Sequence, residues 1–137
     1  MAPIQILLVE DNPGDVRLSS EAFKAGDFLH EMNVVKDGVE AMEFVRRCGA
    51  YSCAPRPDII ILDINLPRKN GLEVLEEIRS DNTLADIPII MLTSSDNDLD
   101  VLIAYKKQAS AYLVKPSSLS QYDEVIDAVA ALCQLER

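Results

Sequence analysis

The side chains able to do chemistry in this chain come at the ends of apolar runs. Ile4-Gln5-Ile6-Leu7-Leu8-Val9 leads into Glu10 and Asp11, and Ile59-Ile60-Ile61-Leu62 leads into Asp63. Ile87-Pro88-Ile89-Ile90-Met91-Leu92 ends at Thr93, and Ala111-Tyr112-Leu113-Val114 ends at Lys115, which is followed by Pro116. Short runs rich in β-branched residues and bounded by turn formers read as strands buried on both faces, the kind found in parallel sheets. Open parallel sheets carry their sites outside the strands' carboxyl ends. If these strands are parallel, three carboxylates, a hydroxyl and an ammonium converge on one edge. Clustered carboxylates raise one another's pKa unless a divalent cation and a fixed ammonium compensate them. Hard oxygen ligands in this number suit magnesium, which takes one or two carboxylates and completes its shell with water and phosphate oxygens. The chemistry implied is that of a phosphoryl group.

The elements that must position these groups follow from local signals. Asn12-Pro13 supplies an N-cap and a proline at the first helical position, so a first helix should run to about Ala25, where Gly26-Asp27 breaks it. A short strand around Met32-Val35 leads to the turn signal Asp37-Gly38. Ala41, Phe44, Val45 and Cys48 then form the i, i+3, i+4, i+7 stripe of a second helix facing a core. The stretch from Gly49 to Pro57, with Tyr51, Pro55 and Pro57, is longer than a helix-to-strand joint needs. It reads as a partner contact or as a solvated insertion, and the general behaviour of loops favours the second. Asn70-Gly71 opens a third helix that buries Val74, Leu75 and Ile78 and ends at Ser80-Asp81-Asn82. Ser94-Ser95-Asp96-Asn97 offers caps for a fourth, whose stripe of Leu99, Leu102 and Ile103 is short, as in a thinly anchored helix able to shift. Ser118-Leu119-Ser120-Gln121 has capping-box spacing for a fifth, burying Val125, Ala128, Val129, Leu132 and Cys133. Strands alternating with helices, with no repeat or low-complexity tract, give a doubly wound α/β fold.

These residues together resemble the receiver domain of two-component response regulators, over essentially the whole chain. The resemblance rests on Glu10-Asp11, Asp63-Ile64-Asn65-Leu66-Pro67 with Asn70-Gly71, Thr93, and Lys115-Pro116, in that order. It implies the flavodoxin-like (βα)5 arrangement, a parallel five-stranded sheet of order 2-1-3-4-5. The segments from Glu10 to Leu18 and from Ser118 to Gln121 are similar, more narrowly, to stand-alone receivers that partner bacterial phytochromes. On this resemblance Asp63 is the phosphoacceptor, taking a phosphoryl group from a phosphohistidine of a histidine kinase, one that is phytochrome-like in the narrower reading. Magnesium would be held by Asp11, Asp63 and the backbone carbonyl of Asn65, with Glu10 acting directly or through water. Lys115 would follow the charge from carboxylate to phosphoryl group, aimed by a cis bond before Pro116. Thr93 would donate its hydroxyl and move inward, and Tyr112 would turn into the space opened, switching the surface of helix 4, strand 5 and helix 5 for partner binding or homodimerisation. Ser94 stands where many members have alanine, and Asn65 and Ser95 flank the attack path, where they could tune hydrolysis. The expectation is a signalling switch with intrinsic phosphorylation and dephosphorylation chemistry, rather than an enzyme turning over a substrate.

Two rival chemistries fit less well. A magnesium-dependent phosphatase of the haloacid dehalogenase type also places an aspartate nucleophile after a strand, but Asn65 stands where its second acid belongs. A nucleotide or flavin binder would need a glycine-rich loop after the first strand, and none follows Val9.

Bulk properties narrow the partners. A length of 137 residues fits one domain spanning residues 1–137, without room for a separate output domain. A net charge of −10 repels nucleic-acid phosphates and anionic membranes, so no direct nucleic-acid or membrane contact is expected. Neither a secretory signal nor a membrane span is recognisable, which places the expected home in the cytoplasm. Cys48, Cys53 and Cys133 form no CxxC pair, which argues against a disulfide framework or zinc site. Cys48 and Cys133 read as core residues on helix stripes, and Cys53 as a loop thiol open to reaction. His30, the single histidine, reads as exposed or partly packed, and Lys106 and Lys107 as a solvated face.

Overall fold

A computed structural model describes residues 2–135 except 27 and 95–97, with the side chain of residue 100 also left aside. Five strands, β1 (Ile4–Val9), β2 (His30–Val35), β3 (Ile59–Asp63), β4 (Ile89–Thr93) and β5 (Ala111–Val114), form one parallel sheet in the order β2-β1-β3-β4-β5. They alternate with α1 (Pro13–Lys24), α2 (Gly38–Arg46), α3 (Gly71–Ser80), α4 (Asp98–Lys106) and α5 (Asp123–Leu132). This is the expected doubly wound, flavodoxin-like architecture. Among the described residues no helix is long and apolar enough to cross a membrane.

Strand alternation sorts the core into two layers. Leu7, Val9, Ile60, Leu62, Ile89 and Met91 pack with α2, α3 and Ala104 of α4. Ile6, Leu8, Ile59, Ile61, Ile90 and Leu92 pack with Phe23 of α1 and with Val125, Ile126 and Val129 of α5. Because β3 and β4 are buried along their whole length, both read as continuous apolar runs.

The helix starts follow the sequence signals. The side chains of Asn12, Asp37 and Asn70 accept the backbone N–H of Asp15, Glu40 and Glu73, capping α1, α2 and α3. The start of α5 is displaced. Ser118 Oγ accepts the Gln121 N–H at 3.3 Å, and Gln121 Oε1 accepts the Ser117 N–H at 2.9 Å, so the box forms a turn at 118–121 and regular helix begins only at Asp123. The expected caps of α4 at Ser95, Asp96 and Asn97 lie outside the described residues.

Several expectations need correction. Cys48 is exposed, because Arg47 adopts the left-handed conformation (φ 54°) and turns the chain out of α2 before the stripe reaches it. Cys48 then donates its N–H to the Glu43 carbonyl in a Schellman-type ending. Cys133 follows the end of α5 and is only partly buried against the core. Leu99 and Leu102 are 60% and 51% exposed, so the face of α4 that meets the core is not the one they mark. Ala104 is the fully buried residue among those described in α4. The 49–57 loop is tied down at several points. It contains a short 3-10 turn (Gly49–Tyr51), Tyr51 packs on Phe44 with ring centroids 5.4 Å apart, and Arg56 bonds both the Thr83 carbonyl and Asp86. His30, by contrast, is partly packed as expected, against Phe23 and Phe28. Lys106 is exposed and Lys107 pairs with Glu76.

Candidate functional site

Parallel register brings the acid-bearing ends together. Leu8 pairs with Ile61, Ile61 with Ile90, and Ile90 with Ala111, so these positions and those two further along each strand share the α1/α5 face. Glu10, Asp63 and Lys115 lie on that series at its carboxyl end. Lys115 Nζ sits 2.7 Å from Glu10 Oε1 and 3.1 Å from Asp63 Oδ2, although Lys115 lies 52 positions after Asp63. Glu10 and Asp63 are buried at 3% and 6% exposure, whereas Asp11 is exposed. Carboxylate oxygens of Glu10, Asp11 and Asp63 all lie within 4.8 Å of one another, close enough to share one cation.

Asp63 is braced from both sides. Asp63 Oδ1 accepts the Asn65 N–H at 3.2 Å, and the turn beyond it closes through Gly71 N–H to the Ile64 carbonyl at 2.8 Å. Gly71 is needed there. A Cβ on it would lie 2.3 Å from the Asp63 carbonyl oxygen, so only glycine lets α3 start against the acceptor strand.

Burial pushes the Glu10 carboxyl above its ordinary range, against the opposing pull of its hydrogen bonds from Lys115 and the Asn12 N–H. For Lys115 burial alone would lower the pKa. The hydrogen bonds to Glu10 and Asp15 and the attraction of Asp63 outweigh it, holding the ammonium above its usual value. The site therefore keeps a permanent positive charge among its acids, beneath an open cavity of about 880 Å³ lined by Asp11, Asp63, Asn65, Ser94 and Lys115.

The other expected residues lie around this cluster, and the Thr93 carbonyl accepts the Lys115 N–H at 2.7 Å. Thr93 ends β4 fully buried and pairs in register with Val114, while Tyr112 pairs with Met91. Thr93 and Tyr112 thus share the opposite, α3/α4 face of the sheet, as diagonal neighbours on adjacent strands. Ser94 is exposed at the cavity, and Ser95 lies outside the described residues. No described peptide bond is cis, so the bond before Pro116 is trans and does not aim Lys115 in the way expected. Three carboxylates do that instead. The third, Asp15, lies 2.9 Å from Lys115 Nζ and carried no sequence signal, since an acid in a helix's first turn reads as a dipole partner.

Comparison with known proteins agrees with this arrangement. Residues 6–127 match the response regulator receiver domain family. The chain is 40% identical over 127 residues to response regulator Rcp1 of Synechocystis sp., covering 93% of this chain and 86% of that protein. It is 34% identical over 128 residues to the probable methanogenesis regulatory protein FilR2 of Methanothrix harundinacea, covering 93% and 81%. Among solved structures, the phosphorylated cyanobacterial phytochrome response regulator RcpA superposes with a TM-score of 0.88 at 42% identity, covering 97% of this chain and 95% of that one. The Mn2+-bound form of Rcp1 superposes with a TM-score of 0.85 at 40% identity, covering 94% and 93%. With its acids gathered around one lysine at the carboxyl edge of a 2-1-3-4-5 sheet, the chain belongs to the receiver-domain family of two-component response regulators.

Proposed function

We propose that the chain is a phosphorylation-driven switch, in which Asp63 accepts a phosphoryl group from a histidine kinase and magnesium is the working cation. The observation that carries this reading is the Lys115–Asp63 contact inside a cluster of acids able to share an ion. A carboxylate oxygen of Asp63 attacks phosphorus, a P–O bond forms as the P–N bond of the phosphohistidine breaks, and the imidazole leaves with the bonding pair. Catalysis of such a transfer is mostly positioning and neutralisation of charge on the phosphoryl oxygens. Lys115 supplies one positive charge, and its flexible stem lets it follow the charge from carboxylate to phosphoryl group.

Asp11, Asp63 and the Asn65 carbonyl would hold the magnesium, which supplies charge neutralisation when bound. Both oxygens of Glu10 are already engaged, one by Lys115 and one by the Asn12 N–H, which favours its acting through water. Thr93 and Tyr112, neighbours on the α3/α4 face, would carry the change to α4, β5 and α5, whose outer side exposes Leu102, Tyr105, Val114 and Leu119 for a partner or a second copy of the chain. The kinase is expected to be of the phytochrome class, by similarity to RcpA. The chain would act as a switch, without multiple turnover on small phosphate esters.

Intact-protein mass after incubation with acetyl phosphate and magnesium tests the reading. One phosphoryl adduct is expected, absent in Asp63→Asn and absent when the metal is chelated. Sustained hydrolysis of phosphate esters without an adduct would favour a phosphatase and overturn it.

A further inference from the structure

We infer that Asp15 is a positioning residue that holds Lys115 in place once a cation occupies the acid cluster, an inference that rests on the phosphoacceptor reading above. The ammonium has three donors, and each meets one carboxylate: Glu10 at 2.7 Å, Asp15 at 2.9 Å and Asp63 at 3.1 Å. Two of these partners are not reserved to it. Glu10 and Asp63 belong to the group of acids close enough to share an ion, and Asp15 does not. A divalent cation drawn to that group competes directly for the lone pairs of Asp63, draws on Glu10 through water and also repels the ammonium. Lys115 sits on a flexible stem and would swing away unless something outside the shared set kept it. Asp15 is that group.

Asp15 is delivered from a braced backbone. Its carbonyl accepts the Ser19 hydroxyl at 2.9 Å, and buried Ser19 bonds the hydroxyl of buried Tyr122 just ahead of α5, so the first turn of α1 is tied across to α5. The capping of α1 falls to another residue, since Asn12 Oδ1 accepts the Asp15 N–H at 3.1 Å. The Asp15 carboxylate is thereby left to Lys115.

The test uses the full chain as wild type, Asp15→Asn, Asp15→Glu and Lys115→Ala, and the Asp15→Asn/Lys115→Ala double variant. Asp15→Asn is expected to slow phosphorylation by acetyl phosphate at saturating magnesium by about three- to tenfold, the range for one partly exposed charge-assisted hydrogen bond. Asp15→Glu should recover part of the loss. In the Lys115→Ala background the same Asp15→Asn change should have no further effect on the residual rate, because the partner it positions is gone. A second readout needs no turnover. Brief acylation followed by peptide mass spectrometry should show Lys115 more reactive in Asp15→Asn than in wild type, with the difference widening when magnesium is added and Lys24 serving as internal reference. Equal rates, an equal slowing with and without Lys115, or an unmoved Lys115 reactivity would each overturn the inference. If wild type forms no Asp63-dependent adduct, the phosphoacceptor reading falls and takes this inference with it. An adduct on wild type with Asp15→Asn indistinguishable from it removes the Asp15 role alone.

Discussion

Replacing Gly71 with alanine asks how firmly the acceptor is held. The added methyl carbon would lie 2.3 Å from the Asp63 carbonyl oxygen and 2.8 Å from Ile64 Cα, where ordinary contact begins at 3.4 Å. The backbone must therefore open by about 1 Å, and neither side yields cheaply. Asp63 lies in a strand paired on both sides, and α3 is anchored by Val74, Leu75 and Ile78, all fully buried. Overpacking of this kind costs about 1–3 kcal/mol, and alanine's helix propensity returns only a fraction of the ~1 kcal/mol it gives in a helix interior. A net loss of about 2 kcal/mol in urea unfolding is expected. The functional loss should be larger. A displacement of about 1 Å at a reacting group is worth on the order of 100-fold in rate, so acetyl phosphate labelling of Asp63 should fall by about that factor at a denaturant-free temperature where the variant is folded. Gly14→Ala is the control, because its nearest obstacle is the movable Asn12 side chain at 3.2 Å, and its stability should stay within about 0.5 kcal/mol of wild type. If Gly71→Ala matches Gly14→Ala in both stability and labelling, the close approach of α3 does not hold Asp63 in place.

Two other outcomes follow from the charges and the exposed face. The raised pKa of Glu10, caused first by burial, means the folded chain holds this proton more tightly than the unfolded one. Its contribution is therefore most favourable below the ordinary value of 4.5 and is lost as pH rises through the raised folded value. Urea midpoints of wild type and Glu10→Gln in a chelating buffer should diverge across that window in favour of the variant, and magnesium should shrink the gap; parallel curves would refute the assignment. If the α4–β5–α5 face pairs two copies on phosphorylation, light scattering at micromolar concentration should show molar mass rising with the Asp63 adduct and staying monomeric in Leu102→Glu. An unchanged mass in wild type would rule out phosphorylation-driven pairing.

Much of this site was legible because parallel strands convert spacing in sequence into adjacency in space. Once Leu8, Ile61 and Ala111 are recognised as residues of one sheet face, the groups an even number of positions beyond them stay on that face, and Glu10 and Asp63 at two positions and Lys115 at four meet at its carboxyl edge. Helix starts were equally readable, since Asn12, Asp37 and Asn70 announce themselves by residue type. The ends of α1 and α3 were readable too, but those of α2, α4 and α5 were not. Arg47, Gln108 and Gln134 take the left-handed conformation usually marked by glycine, so nothing in their types warned that Cys48 would leave the stripe of α2. Asp15 escaped for a different reason. Its partner lies 100 residues away and at the end of a strand, and the pairing depends on how α1 is tilted across the sheet, which local pattern does not encode.

The misread stripe of α4 has a physical cause that bears on signalling. Leu99, Val101, Leu102, Ile103, Ala104 and Tyr105 place apolar residues all round this helix, so periodicity could not say which side meets the core. The side chosen buries Ala104 fully and leaves Leu102 and Tyr105 more than half exposed. The carboxyl end of the helix is tied at several points. Ala109 N–H reaches back to the Ala104 carbonyl, the Arg79 guanidinium of α3 holds the Gln108 carbonyl at 3.0 Å, and Lys107 pairs with Glu76. Arg79 also grips the Ala85 and Ile87 carbonyls, so the same side chain locks the approach to β4. A change starting at Thr93, as proposed, would reach α4 from its amino end. If α4 shifts on phosphorylation as proposed, these ties restrain its carboxyl end, and Leu102 and Tyr105 would move with the helix.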